Sequence, residues 1–217
     1  MPTIPETLQT ALTYHQAGRL QEAEALYRQI LLAHPDHADA LHLLGVIAHQ
    51  SGKHEVAVEY IARAIALSPT AAEYHCNIGE IYRALARLKE AAASFHRALA
   101  LNPASAEAMN NMGAVLQAQG KLEEAAAHYR QAMALKPGYA QAHNNLGSTL
   151  LAQGQVEEAA AQFRKALELS PSYAGAHNNL GIVLQQEGLT SEAVAQYRQA
   201  LRHDRTLGEA HANLGTA

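Results

Sequence analysis

Tryptophan is absent from the 217-residue sequence, phenylalanine occurs twice and cysteine once. A single cysteine, Cys76, cannot close an internal disulfide or build a cysteine-ligated zinc module. β-Branched residues are sparse, which disfavours a sheet protein. No apolar run approaches the ~18–20 residues of a membrane-spanning helix. The segment Met1–Thr10 has neither the basic residue nor the apolar stretch of a secretory signal. An excess of basic charge is missing too: 16 Lys and Arg face 20 Asp and Glu, for a net charge of −4 with histidine neutral. Sequence-independent binding of nucleic acid or of an anionic membrane needs a basic face, so neither is expected as a partner. There is no phosphate-cradling glycine loop and no nucleophile–base arrangement. The chain is therefore not expected to catalyse a reaction or to hold a cofactor. Alanine and leucine dominate what is present, and both favour helix. Together these features fit a helical protein of the reducing cytoplasm.

Sliding the sequence along itself exposes an internal repeat. Asn111-Met112-Gly113, Asn145-Leu146-Gly147, Asn179-Leu180-Gly181 and Asn213-Leu214-Gly215 recur every 34 residues. Pro35, Pro69, Pro103, Pro137 and Pro171 keep the same step, as do Ala23, Ala57, Ala91, Ala125, Ala159 and Ala193. The chain holds about 6.4 such units, of the period seen in helix–turn–helix arrays. They are phased 4–37, 38–71, 72–105, 106–139, 140–173, 174–207 and a partial 208–217, forming one array over 1–217. Each unit contains two helical patterns split near a glycine (Gly52, Gly120, Gly154, Gly188), where a chain can leave one helix and begin another. Each proline follows the second apolar run and cannot continue it. Gly45, Gly79, Gly113, Gly147 and Gly181 lie inside the first helix, at a cost of ~1 kcal/mol relative to alanine. That repeated cost implies close approach of the second helix through its small alanine. Tyr27, Ile61, Phe95, Tyr129, Phe163 and Tyr197 are then expected to fill the space between neighbouring units. Thr10-Ala11 replaces the Leu-Gly pair in the first unit, as at an end of the array. The last unit stops at Ala217 without a polar cap. From that we expect either a fragment of a longer protein or an end covered by another molecule, with helix 208–217 frayed unless covered.

These residues resemble the tetratricopeptide repeat. In unit 106–139, Met112, Gly113, Gly120, Ala125, Tyr129, Ala132 and Pro137 stand at the signature places, and the resemblance covers nearly the whole chain. It implies an all-α fold, a right-handed α-solenoid of stacked antiparallel helix pairs, with first helices lining a concave groove. No unit can bury its apolar face alone, so neighbours must share one core.

The signature positions explain stacking and leave open what the groove holds. One column stands apart: Asn77, Asn111, Asn145, Asn179 and Asn213, with Asn110, Asn144 and Asn178 beside it and His42 and Cys76 at the equivalent earlier places. Asparagine is a poor mid-helix residue, yet its amide can both donate to and accept from a peptide group. Packed helices lie ~10 Å apart, and an extended polyproline-II-like peptide rises ~3.1 Å per residue. One amide per unit could thus grip a peptide backbone at about every third residue. The alternative is that the asparagines only link neighbouring repeats. The ladder also resembles the repeat arm of O-linked N-acetylglucosamine transferases, in which inner asparagines hold acceptor proteins. His37–Ala48 and Ala72–Leu85 are similar to the arms of bacterial members. The resemblance implies that the five column asparagines contact a peptide backbone, starting at the third unit because Gln9 and Leu43 precede them. None of that family's catalytic domain is present.

Two readings therefore stand: a substrate-recruiting arm of a protein glycosyltransferase, or a free-standing scaffold for a multiprotein complex. In both, the partner is a protein or an extended peptide, and a homo-oligomer is compatible with the sequence. An adaptor for C-terminal carboxylates is disfavoured, because Leu8, Leu12, Asn77, Gln141 and Asn145 stand where such adaptors place cations. Metal binding is disfavoured as well. His75, His143, His177 and His211 are one repeat apart, whereas zinc needs ligands within ~2.1 Å of one point. They are expected to wedge between helices. His34, His37 and His42 lack a partnering cysteine or carboxylate ladder. Cys76 is placed facing the groove. Glu123-Glu124 and Glu157-Glu158 open second helices, where the helix dipole favours acids.

Overall fold

A computed structural model describes residues 3–217. Among them there are helices and connecting turns and no strand. Backbone packing divides the chain into two compact units, one ending at Pro103 and the other beginning at Ala104. The first holds α1 (Ile4–Gln16), α2 (Leu20–Ala33), α3 (Ala38–Gln50), α4 (His54–Leu67), α5 (Ala72–Ala84) and α6 (Leu88–Leu101). The second holds α7 (Ala106–Ala118), α8 (Leu122–Leu135), α9 (Ala140–Ala152), α10 (Val156–Leu169), α11 (Ala174–Gln186), α12 (Thr190–His203) and α13 (Gly208–Thr216). The odd helices begin 34 residues apart and so do the even ones, the step expected from the glycine and proline columns. Within each unit, every even helix packs on the odd helix before it and, α6 apart, on the odd helix after it.

The turn between the helices of a pair is set by local chemistry. At the end of α1 the Gly18 amide donates to the His15 carbonyl at 3.0 Å, and the Arg19 amide to the Tyr14 carbonyl at 2.9 Å. This closing pattern requires a left-handed residue at the glycine position. Gly18, Gly52, Gly120, Gly154 and Gly188 supply it with φ between 73° and 78°. The third pair has Ala86 there, held at φ 56° by the same two bonds.

The glycines inside the odd helices have a different purpose from the one the spacing implied. A Cβ on Gly113 would lie 2.7 Å from Cε1 of Tyr129. On Gly79, Gly147 and Gly181 it would lie 2.8, 2.7 and 2.5 Å from Phe95, Phe163 and Tyr197. Ile61 takes the ring's place against Gly45. The glycine thus makes room for a ring from its own partner helix, four positions beyond the column alanine. The rings seat inside a pair rather than filling space between pairs. They are fully buried, which contributes about 1.5–3 kcal/mol per ring and outweighs the ~1 kcal/mol cost of a helical glycine. Where the ring is tyrosine, its hydroxyl still finds an acceptor: Tyr129 donates to Gln117 Oε1 at 2.9 Å and Tyr197 to Gln185 Oε1 at 2.8 Å.

In the first unit the core gathers around Tyr27, Ile30 and Leu44, and around Leu41, Ile61 and Ile81. In the second it runs from Leu116 and Tyr129 through Leu150 and Phe163 to Val183 and Tyr197. Leu214 of α13 packs against the latter cluster.

Candidate functional site

The asparagines of the odd helices form a hydrogen-bonded ladder. Nδ2 of Asn145 donates to Oδ1 of Asn110, that of Asn179 to Asn144, and that of Asn213 to Asn178, each at 3.0 Å. The repeat step is 34 and the bonded step is 35, so each amide reaches the residue one place before its own equivalent in the preceding repeat. Asn179 Nδ2 also lies 3.3 Å from Ser148 Oγ. In the first unit Asn77 Nδ2 donates to His42 Nε2 at 2.7 Å. His42 there stands in the acceptor column and requires an unprotonated Nε2. The doubled asparagines therefore have a structural reason: the first asparagine of each pair, Asn110, Asn144 or Asn178, is the acceptor for the next repeat.

This geometry corrects two sequence expectations. Asn110, Asn144 and Asn178 do not flank an open channel; they are buried, and their carbonyl oxygens are engaged as ladder acceptors. The column amides also keep less donor capacity than expected, because the ladder bond takes one of the two Nδ2 hydrogens and, at Asn179, the Ser148 contact takes the other. What remains on Asn145, Asn179 and Asn213 alike is Oδ1, which no donor reaches among the described residues, and Asn145 and Asn213 also keep one N–H. These three and Asn77 are half-buried, while Asn111 is buried, with Asn110 Nδ2 3.4 Å from its Oδ1. Cys76 is buried rather than presented to a groove.

The histidine column ties each pair together. Nε2 of His75, His177 and His211 lies 2.9–3.0 Å from the carbonyls of Pro69, Pro171 and Arg205 in the preceding loops. Nδ1 of His143 and His177 meets Oε1 of Gln162 and Gln196 on the second helix at 2.8 and 2.7 Å. The earlier cluster disperses: His37 Nδ1 accepts from the Ala40 amide at the start of α3, and His42 joins the ladder.

His42 is a strongly perturbed titratable group of the first unit's odd helices, as is its neighbour Tyr74, whose hydroxyl is pushed up by burial and by Asp39. Burial pushes its imidazole down to about 4, with nearby Asp39 opposing the shift and His15 adding to it. Its ring stacks on Tyr74 with centroids 4.3 Å apart, and the Tyr74 hydroxyl donates to Asp39. Sequence reasoning passed over this network, although His42 standing in an asparagine column is the signal for it.

Comparison with known proteins assigns the fold to a family. A TPR repeat model matches residues 79–120, 117–154 and 147–188, more than half the chain. Tetratricopeptide repeat models match 8–72 and 174–207. The chain belongs to the tetratricopeptide repeat family. No curated protein matches the sequence. Among solved structures it is similar to the Cut9–Hcn1 hetero-tetramer of the APC/C, with a TM-score of 0.89 and 18% identity over 98% of this chain. It spans 42% of that chain. It is also similar to PilW, a type IV pilus biogenesis factor, with a TM-score of 0.86 and 23% identity over 97% of this chain and 98% of PilW. YrrB, described as a TPR protein with an unusual peptide-binding site, gives 0.61 and 21% over 86% of this chain and 96% of its own. Among the described residues no helix is long and apolar enough to cross a membrane.

Proposed function

We propose that the protein is a non-catalytic scaffold that holds extended segments of other proteins along its odd helices, with Asn145, Asn179 and Asn213 accepting hydrogen bonds from the segment's backbone. The observation that carries the reading is the unengaged Oδ1 on each of these half-buried amides, one per repeat. One N–H of each is already committed, so the ladder holds them in register and ordering them costs little on binding. Half-buried Asn77 extends the same role, whereas Asn111 is buried and its Oδ1 already accepts from Asn110. Asn110, Asn144 and Asn178 act in it only by positioning their neighbours. Each amide–peptide bond contributes ~0.5–1.5 kcal/mol net, so binding is weak and tolerant of sequence.

The free-standing scaffold is preferred to a recruiting arm of a protein O-GlcNAc-type glycosyltransferase. The latter rests on the asparagine column and on the similarity of His37–Ala48 and Ala72–Leu85 to bacterial arms, and the column has a structural explanation. PilW and YrrB, matched over nearly their whole chains, support a repeat array working without a catalytic domain. That likeness extends to the fold.

The side-chain amide signals of the asparagines test the proposal directly. Extended peptides selected from a random library should shift the amide resonances of Asn145, Asn179 and Asn213 on titration. Selected peptides that bind while leaving all three unshifted would refute this site. Failure of any peptide to be enriched would refute the scaffold reading.

A further inference from the structure

We propose a second binding site on the first unit, between α2 and α4 over α3, that takes an acidic peptide segment anchored by one bulky apolar side chain. The cleft measures about 420 Å³ and is lined by Leu31, Leu32 and Pro35 on one side, Leu44 beneath, and Tyr60 with Arg63 opposite. That volume lies in the range of ordinary ligand sites. A smaller recess of about 170 Å³ shares Arg28, Leu44 and Tyr60 with it and carries it towards Lys53 and Val56.

Leu32 is 86% exposed, far beyond any other large apolar side chain of the described residues. It also breaks its own column. Ala66, Ala100 and Ala134 stand at the equivalent places, followed by Glu168 and Arg202. Tyr60 breaks another: Ser94, His128, Gln162 and Gln196 replace it in later repeats. In the corresponding place of the second unit the chemistry is used up internally. Gln162 is bonded to His143, and Lys165 pairs with Glu168 at 2.7 Å. In the first unit the apolar surface is left open instead.

Charge selects the occupant. The chain as a whole is acidic, yet this cleft and its extension present Arg28, Arg63 and Lys53 against the single acid Glu24. Glu24 is taken by Arg28 at 2.7 Å. Arg63 has no carboxylate within ion-pair distance among the described residues; its one hydrogen bond is to the Pro35 carbonyl at 3.4 Å. A guanidinium with a vacant fork beside an exposed leucine and a tyrosine face fits a side-chain carboxylate next to a leucine or phenylalanine.

The probe is an N-acetylated, C-amidated, fluorescein-labelled peptide with one phenylalanine flanked by two glutamates on each side. Fluorescence polarisation with the full chain should show saturable binding that weakens as salt rises from about 0.05 to 0.5 M. Replacing the glutamates by glutamines, or the phenylalanine by alanine, should each weaken it roughly tenfold or more. Arg63→Ser and Leu32→Ser should do the same with unchanged melting, since both side chains are exposed. The variant lacking the amides of Asn145, Asn179 and Asn213 should bind the probe normally, which separates this site from the ladder. No binding, binding unaffected by both substitutions, or binding only when the C-terminal carboxylate is free would overturn the proposal. So would self-association that Leu32→Ser abolishes, because the cleft would then belong to a second copy of the chain.

Discussion

The bond from Asn179 to Asn144 gives the ladder a measurable size. Truncating Asn144 to alanine removes a buried acceptor and a net bond of ~0.5–1.5 kcal/mol. The same change also replaces asparagine by the best helix former, a gain of about 0.6 kcal/mol in the middle of α9. The two effects nearly cancel, so the single variant should lose at most about 1 kcal/mol. Asn179→Ala loses the bond to Ser148 as well and should cost slightly more. A double-mutant cycle removes the ambiguity, because helix propensity is additive between separate helices and drops out. The coupling energy should be about 0.5–1.5 kcal/mol, and the pair Asn110 and Asn145, with the same 3.0 Å geometry, should repeat it. Stacked repeats open locally, so the assay is native-state hydrogen exchange of the α9 and α11 amides rather than one global melt. A coupling below about 0.3 kcal/mol, within the usual scatter of additivity, at both pairs would refute the ladder as a stabilising device.

Three further outcomes follow from the geometry. Ala86→Gly should raise stability by about 0.5–1 kcal/mol, since relief of a left-handed alanine outweighs the entropy of glycine; a lowered melting temperature would contradict it. Gly181→Ala should cost ~1–3 kcal/mol despite its better helix propensity, because its Cβ would meet the buried Tyr197 ring at 2.5 Å, and urea unfolding followed by circular dichroism reads the sign. The His42 imidazole titrates at about 4 when folded and near 6.5 when unfolded, so the unfolded chain takes the proton first as pH falls. The first unit keeps its full stability above pH ~6.5 and should lose about 3 kcal/mol on acidification to pH ~4; His42→Asn should flatten that dependence in hydrogen exchange of α3 and α5 while preserving an acceptor for Asn77.

Much of the architecture could be read from the sequence because its determinants are local. A glycine that must take positive φ and a proline that cannot continue a helix act within a few residues, so their spacing marked every pair. The purpose of the glycines inside the odd helices was not legible in the same way. Spacing shows that Gly113 lies opposite the second helix, but whether Ala125 or Tyr129 meets it depends on how that helix is rotated. The ladder was half legible: the columns announced an interaction, but not that its step is 35 rather than 34. That one-residue offset converts Asn110, Asn144 and Asn178 from flanking amides into buried acceptors. The cleft beside Leu32 and Tyr60 is not legible in the repeat pattern, because both residues break their columns.

The ladder also constrains what the odd helices can hold. An asparagine with one Nδ2 hydrogen committed to the preceding repeat meets a ligand mainly through its free Oδ1, with one N–H left at Asn145 and Asn213. A bound segment must then bring donors, and in an extended chain those are its backbone amides. Proline has none, so a proline-rich segment, however well its extended rise matches the helix spacing, leaves the acceptors of Asn145, Asn179 and Asn213 unsatisfied as they lose water. Leaving such groups buried without partners costs more than a weak contact returns. Under the proposed function, the free Oδ1 atoms favour extended segments with free amides at the contact positions and disfavour polyproline, without reading any side chain.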